Sequence, residues 1–316
     1  MAQQTTIQQP LEAESLLLRV EKVSTFEGLR RAWAPWKRRP IGVIGALIVI
    51  AAFVLAIAAP YLAPHDPQSF VGGRLESPNA NYFFGTNNLG QDVLSRTIYG
   101  AQVSMAVAFC ATFIGVFMGT LLGIVSGYWG GWLDIVVQRA MEVLASFPGI
   151  MLALIVVAAL GRPKESGSNI VMLSWQLRPL AIAISLAFIF GVMRVIRSQV
   201  LQQRDLPYIE AARALGASTP RIMFRHILPN AVAPAFVFGM SDFVLDVQLG
   251  ATLSFFGLGV QAPTPEWGLM IAESRNLMLT APWAVVFPGL AIIALSFFVS
   301  LVGDALADNV RGIDAG

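Results

Sequence analysis

The chain has 316 residues, of which 56% are hydrophobic and only 13% are charged, which is far from the composition of a water-soluble domain. Its net charge of +2 gives no support for nucleic-acid binding, because the basic residues cluster at the borders of apolar stretches. A single cysteine, Cys110, and two histidines exclude a disulfide within one chain and a metal centre built from cysteines or a histidine cluster.

The N-terminal segment, residues 1–40, is polar at first and becomes basic before the first apolar stretch. We expect no cleavable signal peptide in it. Ser24 and Glu27 have the spacing of a capping box, and an apolar stripe with helical spacing follows. The stripe consists of Phe26, Leu29 and Trp33. These features fit a short helix lying in the cytoplasmic membrane interface. A basic flank that only orients the first span explains them equally well.

Six apolar stretches are long enough to cross a bilayer as helices. They cover residues 41–62, 103–127, 135–160, 179–200, 231–258 and 283–306. Their periodicity is helical and shows no alternation typical of a barrel strand. The sequence therefore predicts an all-α integral membrane protein with a transmembrane domain over residues 41–306 and a tail over 307–316. Pro148 is expected to kink the third span.

Basic residues predict the orientation of these spans. The N-terminal segment carries Arg19, Lys22, Arg30, Arg31, Lys37, Arg38 and Arg39, and the insert between spans four and five carries, with its flanks, Arg194, Arg197, Arg204, Arg213, Arg221 and Arg225. Six spans place these two regions on one side of the membrane, together with Arg311. The opposite loops hold Arg74, Arg96, Arg162, Lys164, Arg178 and Arg275. The positive-inside rule predicts that the insert and both termini are cytoplasmic.

The insert, residues 201–230, is polar and has two short helical patterns. We expect Asp205 to cap the first helix and Gly216 to end it. The second helix is expected to begin at Thr219 and to end at Pro229, just before the fifth span. A polar helical hairpin does not hold a bilayer protein together, so its expected role is to dock a partner outside the membrane. The alternative is an ordinary amphipathic loop.

Two acidic residues lie within the fifth span. Asp242 and Asp246 are one helical turn apart and share a face. Charge at membrane depth is costly and usually faces a cavity or a partner group. The pair therefore either lines a translocation path for cationic cargo or forms interhelical hydrogen bonds, and the sequence leaves both readings open. Arg139 and Glu142, three residues apart, are expected to form a structural ion pair.

The sequence contains no phosphate loop of the type GxxxxGK[ST], no HExxH and no GxSxG motif. We therefore expect a chain without catalysis, a metal or a cofactor of its own. A secondary transporter would show inverted repeats and broken helices around a midplane site, and no convincing repeat is visible. A membrane scaffold or an uncoupled channel would leave the polar insert without a role.

The residues of the insert resemble a known signature. Glu210-Ala211-Ala212, then Gly216, then Ile227-Leu228-Pro229 resemble the EAA motif of ABC importer permeases. The resemblance implies a type I importer fold, in which this insert is a cytoplasmic helix-turn-helix that sits in a cleft of the ATPase subunit. The residues implied to couple to the ATPase are Glu210, Ala211, Ala212, Arg213, Gly216, Arg221, Leu228 and Pro229.

Three further segments, residues 85–105, 253–271 and 287–311, are similar to the dipeptide, oligopeptide and nickel permeases, in particular to the C-type member of the heteromeric pair. The chain departs from that pattern at Gln91, where arginine is frequent, and at Gly250, where glutamate is frequent. In a third departure, Asn309-Val310-Arg311 replaces the usual Asp-Pro-Arg.

This resemblance implies a bacterial inner-membrane location with membrane lipid around the chain. It also implies a second homologous permease subunit, two ATPase subunits that bind ATP and Mg²⁺, and an external substrate-binding protein. The implied cargo is a peptide or a related solute such as a nickel chelate, glutathione or an opine.

Overall fold

The structure is a computed structural model and describes residues 40–161 and 177–314. The described part of the chain is helical and contains no β-strand. Its helices are α1 Pro40–Ile57, α2 Ala59–Leu62, α3 Val93–Trp129, α4 Gly131–Ala145, α5 Gly149–Leu160, α6 Arg178–Gln203, α7 Pro207–Ala214, α8 Thr219–Phe255, α9 Trp267–Ser274 and α10 Trp283–Asp314. The interfacial helix predicted near Ser24 lies outside the described residues.

Five helices are long and apolar enough to cross a membrane, namely α1, α3, α6, α8 and α10. The predicted third span is not one kinked helix, as expected from Pro148, but two helices, α4 and α5, bent by 96° relative to each other. Pro148 directly precedes α5, where its missing N–H costs no helical hydrogen bond. The break at Pro148 is therefore much larger than the kink that the sequence predicts.

A stripe of glycines on α3 packs against α6. A Cβ built on Gly119 would lie 2.8 Å from Val192 Cβ, and one on Gly123 would lie 2.7 Å from the Met193 carbonyl oxygen. Only glycine allows two helix backbones to approach so closely, as in tightly packed membrane helices. The contacting residue numbers rise together along both helices, so α3 and α6 run in the same direction.

The parallel course of α3 and α6 determines how the bent pair counts. The end of α3 and the start of α6 lie at opposite ends of the bundle, and α4 and α5 are the described helices between them. Counted as one span, the bent pair α4–α5 gives six spans, the number that the sequence predicts.

The remaining long helices alternate in direction. A Cβ on Gly239 of α8 would lie 2.9 Å from Val116 of α3, and Asp246 of α8 bonds to Thr112, so α8 is antiparallel to α3. On α10, Gly303 faces Met240 of α8. At the other end of α10, Phe287 stacks on Phe84, which lies before α3, and a Cβ on Gly45 of α1 would lie 3.2 Å from Leu301 of α10. The start of α1, the α7–α8 junction and the end of α10 therefore share one end of the bundle.

Two helices start or end well outside the predicted apolar stretches. The helix α3 begins at Val93, two to three turns before the predicted start at residue 103, because Asp92 caps it: Asp92 Oδ2 accepts from the Ser95 N–H at 3.0 Å. The helix α10 continues to Asp314, past the predicted end at residue 306. Hydropathy locates only the apolar middle of such helices, whereas polar turns at their ends remain helical in water.

Candidate functional site

The insert forms a helix-turn-helix at the end of the bundle where α6 stops and α8 starts. We call it the hairpin, consisting of α7, the turn at 215–218 and the first turns of α8. Leu206 precedes α7 and gives no side-chain cap. The predicted cap at Asp205 is therefore wrong, and its Oδ2 instead accepts from Arg204 Nε at 3.3 Å.

Gly216 ends the first helix of the hairpin, as predicted. Its φ is +82°, and a Cβ at this position would meet nothing within 4 Å. The restriction to glycine therefore comes from the backbone conformation alone, because side chains strain the left-handed region. The second helix begins at Thr219, which confirms the predicted restart.

Pro229 does not end the second helix, contrary to the prediction. The segment Ile222–Ile227 is π-helical, and the N–H of Leu228 bonds to the carbonyl of Met223, five residues earlier. The helix then passes Pro229 and continues to Phe255. Proline lacks an N–H, and the wider π-helical turn directly before it takes up the change in hydrogen-bond register.

The hairpin presents mostly exposed side chains. Of the residues that the sequence assigns to coupling, two are half-buried, Ala212 and Leu228, and the others are exposed. The exposed ones are Glu210, Ala211, Arg213, Gly216, Arg221 and Pro229. The surface therefore offers one carboxylate in the first turn of α7, small residues beside it and arginines on the following turns.

One residue of α7 points inward. Ile209 is fully buried and is the only buried residue of this helix. It joins a cluster of buried aliphatic side chains beneath the hairpin. We define this hairpin cluster as Ile124, Ile196, Val200, Ile209, Ile222 and Ile227. Sequence patterns did not single out Ile209, although it is the one large aliphatic side chain in α7.

A second set of contacts fastens the base of the hairpin. Arg197 of α6 donates to both carboxylate oxygens of Asp134 on α4, from Nε at 2.7 Å and from Nη2 at 2.6 Å. Arg204 Nη1 donates to the carbonyl of Gly127 at 2.9 Å. A bidentate contact of this kind is strong. The predicted pair of Arg139 and Glu142 is present at 2.7 Å, but it is exposed and contributes little.

The two acids of α8 are buried within the bundle, Asp242 being 6% and Asp246 1% exposed. Asp246 Oδ2 accepts from Thr112 Oγ1 of α3 at 2.6 Å. The other oxygen, Oδ1, is buried without a hydrogen bond. Next to Thr112 lies an apolar cavity of about 240 Å³ bordered by Phe109, Phe243 and other residues of α1, α3, α8 and α10.

At the opposite end of the bundle, two of the sequence segments singled out above meet. Glu266 precedes α9 and caps it, accepting from the N–H groups of Gly268 at 3.0 Å and Leu269 at 2.8 Å. It also accepts from Ser104 Oγ of α3 at 2.9 Å. Burial raises the pKa of Glu266, and the hydrogen bonds from Gly268 and Leu269 oppose that rise. The segments 85–105 and 253–271 therefore form one joint.

The far end of α9 is tied to the same helix. Glu273 Oε2 accepts from Arg96 Nη2 at 3.0 Å. Arg96 also donates to Gln91 Oε1, which in turn accepts from Asn87 Nδ2 at 2.8 Å. An arginine at position 91 would place a second cation beside Arg96. Gln91, which departs from the resemblance at this position, instead gives Arg96 a neutral oxygen acceptor.

The described residues contain no group of three or more histidine, cysteine, aspartate or glutamate side chains arranged to hold a metal ion.

Two family models match the chain. The model described as the binding-protein-dependent transport system inner membrane component matches residues 119–312. The model described as the N-terminal TM domain of oligopeptide transport permease C matches residues 29–82.

Curated relatives match over most of their length. The chain is 38% identical to the dipeptide transport system permease protein DppC of Alkalihalophilus pseudofirmus over 280 residues, covering 88% of each chain. It is 37% identical to the glutathione transport system permease protein GsiD of Pectobacterium atrosepticum over 281 residues, 88% of this chain and 89% of the relative.

Among solved structures, the chain resembles one from the inward-facing MetNI methionine ABC transporter, with a TM-score of 0.53 and 17% identity. The likeness covers 68% of this chain and 96% of that one. At this identity it shows the fold alone, which is the predicted type I importer permease fold.

Proposed function

Because the chain belongs to the family of binding-protein-dependent transport system inner membrane components, we propose that its hairpin is the surface on which ATPase subunits dock. The chain is a transmembrane permease subunit of an ABC importer. The observation that carries the docking proposal is the exposed surface around Glu210, at the end of the bundle that also holds the base of α1. ATP and Mg²⁺ would be bound by the ATPases, and this chain would catalyse nothing.

The remaining partners follow from the architecture of such importers. We infer a second homologous permease subunit, two ATPase subunits and an external substrate-binding protein. The joint of Glu266 and Ser104 lies at the end opposite the hairpin, where the binding protein would approach. Motion of the ATPases would pass through residues 205–229 into α6 and α8 and alternate access to a central path.

We propose that the cargo is a short peptide or a related small solute. The relatives named for dipeptide and for glutathione transport support this class. In vesicles holding the complete importer, labelled dipeptide or glutathione is expected to accumulate only when ATP is present on the side of the membrane that carries the ATPase subunits. Uptake driven by an ion gradient without ATP would favour a secondary transporter, and uptake of only a nickel chelate or an opine would replace the peptide assignment.

Orientation gives a separate prediction. In a background with Cys110→Ser, we expect Ser218→Cys to resist an impermeant maleimide in intact spheroplasts and Ser77→Cys and Thr264→Cys to react. All three positions are at least partly exposed in the bundle, so accessibility follows from the side of the membrane. Permeabilised cells, in which Ser218→Cys must react, serve as the control. Labelling of Ser218→Cys from outside would invert the topology.

The acidic pair of α8 gives another prediction. The contact of Asp246 with Thr112 supports an interhelical role, so we expect Asp242→Asn with Asp246→Asn to change the uptake of a lysine-containing and a neutral dipeptide by the same factor. A path-lining carboxylate would instead attract the cation, and charge removal in a low-dielectric cavity weakens that attraction strongly. A loss at least about fivefold larger for the cationic dipeptide would assign the pair to the path.

A further inference from the structure

Ile209 is the link between the hairpin and the bundle. It is fully buried, whereas its neighbours Tyr208 and Glu210 are exposed. No side chain caps the start of α7. Ile209 is therefore the one fully buried side chain through which α7 packs on the membrane part of the chain, beside the exposed hydrogen bond from Tyr208 to Gln203.

The buried cluster that contains Ile209 is built from α7 and three further helices. Ile124 belongs to α3, Ile196 and Val200 belong to the last turns of α6, and Ile222 belongs to the π-helical turn of α8. All are buried to 1% exposure or less. Since protein interiors are close-packed, a displacement of α7 that moves Ile209 disturbs the packing of this cluster.

The π-helical turn is the part of α8 that a displacement of α7 would affect first. Three of its six residues, Ile222, Met223 and Ile227, are buried in the same apolar cluster as Ile209. Its hydrogen bonds span five residues instead of four, and such turns often occur at functional sites because their register differs from that of the flanking α-helix. The same helix α8 runs without interruption to Phe255 at the opposite end of the bundle.

We propose that Ile209 is a positioning residue that transmits the motion of the docked hairpin into α6 and the π-helical turn of α8. The inference rests on the proposed docking of ATPases at the hairpin. Ile209 contacts no nucleotide and no cargo. Its buried packing prevents α7 from moving independently of the bundle, so that binding of ATP moves the outer end of α8.

The test uses the complete importer in lipid nanodiscs, with its partner permease, ATPases and binding protein. A Cys110→Ser background carries Thr264→Cys on the outer loop that follows α8, and the probe is fluorescent maleimide. Its labelling rate is measured with and without ATP plus vanadate. Trapped nucleotide and co-purified ATPase are measured in the same samples, so the readout does not depend on knowing the cargo.

In Ile209→Ala, the ATPases are expected to co-purify and to trap nucleotide, while the nucleotide-dependent change in labelling rate falls at least about fivefold. Ile209→Leu conserves the volume and is expected to keep the change. The matched control is Ile184→Ala, an equally buried isoleucine of α6 outside the hairpin cluster, which is expected to keep it as well.

Three results would overturn the inference. The first is a full labelling response in Ile209→Ala, and the second is an equal loss in Ile184→Ala, which would indicate general damage to the core. The third is loss of the ATPases from Ile209→Ala, which would make Ile209 part of docking. If the ATPases fail to co-purify even with the unsubstituted chain, the proposed docking surface itself is wrong.

Discussion

Gly216→Leu is expected to lower ATP-driven uptake strongly while the chain still inserts in the membrane. The φ of +82° at Gly216 is unfavourable for leucine, and holding a residue in such a conformation costs about 1–3 kcal/mol. The turn joins α7 to α8 and is open to water, so the chain can relieve the strain by changing the angle between the two helices. That change removes the surface around Glu210 from its docking geometry.

The size of the effect follows from the strain. A cost of 1–3 kcal/mol shifts an equilibrium by roughly 5- to 150-fold, so uptake should fall by at least about fivefold. Gly216→Asn is expected to retain most of the uptake, because asparagine adopts the left-handed conformation more readily. The measurement is ATP-dependent uptake normalised to the amount of membrane-inserted chain.

Gly161→Leu is the matched control for the Gly216 substitution. Gly161 has a φ of +90° and equally open space around it, but it ends α5, away from the hairpin. Its ψ of 157° puts it in a region that is essentially restricted to glycine, so leucine there should also be strained, but uptake should not fall to the same extent. Wild-type uptake in Gly216→Leu would refute the assignment of the hairpin to coupling.

Gly123→Ala is expected to destabilise the folded bundle strongly, although it adds one methyl group. The new Cβ would lie 2.7 Å from the backbone carbonyl oxygen of Met193, which cannot rotate away as a side chain does. Overpacking of this kind costs about 1–3 kcal/mol. The midpoint of thermal unfolding in detergent should fall by roughly 5 °C, and Gly123→Leu should prevent folding.

Gly115→Ala is the matched control on the same face of α3. Its Cβ would meet Ser185 at 3.8 Å, which is ordinary van der Waals contact. Because alanine favours a helix by about 1 kcal/mol over glycine, this variant should be as stable as the unsubstituted chain or slightly more stable. Equal losses at both positions would contradict the tight packing of α3 on α6.

The hairpin shows how far local rules reach. Gly216 and Thr219 mark its turn correctly, because a left-handed residue and a helix start are local requirements. The cap role predicted for Asp205 is wrong because Leu206 occupies the cap position of α7, and the Asp205 carboxylate accepts from Arg204 instead. Pro229 was assigned as a helix end because the rule describes α-helices, whereas the chain enters Pro229 through a π-helical turn.

The sequence alone determined the membrane class, the number of spans and the location of the hairpin. Apolar stretches of about 20 residues cross a bilayer as helices, because only a helix pairs all their backbone N–H and C=O groups internally. A polar stretch between them must leave the bilayer. The resemblance around Glu210 also identified the family, because those residues form a contiguous, local pattern.

Only the tertiary structure decided which side chains meet. The 96° break between α4 and α5, the contact of Asp134 with Arg197 and the burial of Ile209 all depend on helices far apart in the chain. Sequence periodicity identifies an apolar face but not its neighbour, because any complementary face satisfies the same hydropathy. The inward direction of Ile209 follows from the position of α3, α6 and α8 around it, and no local rule contains that information.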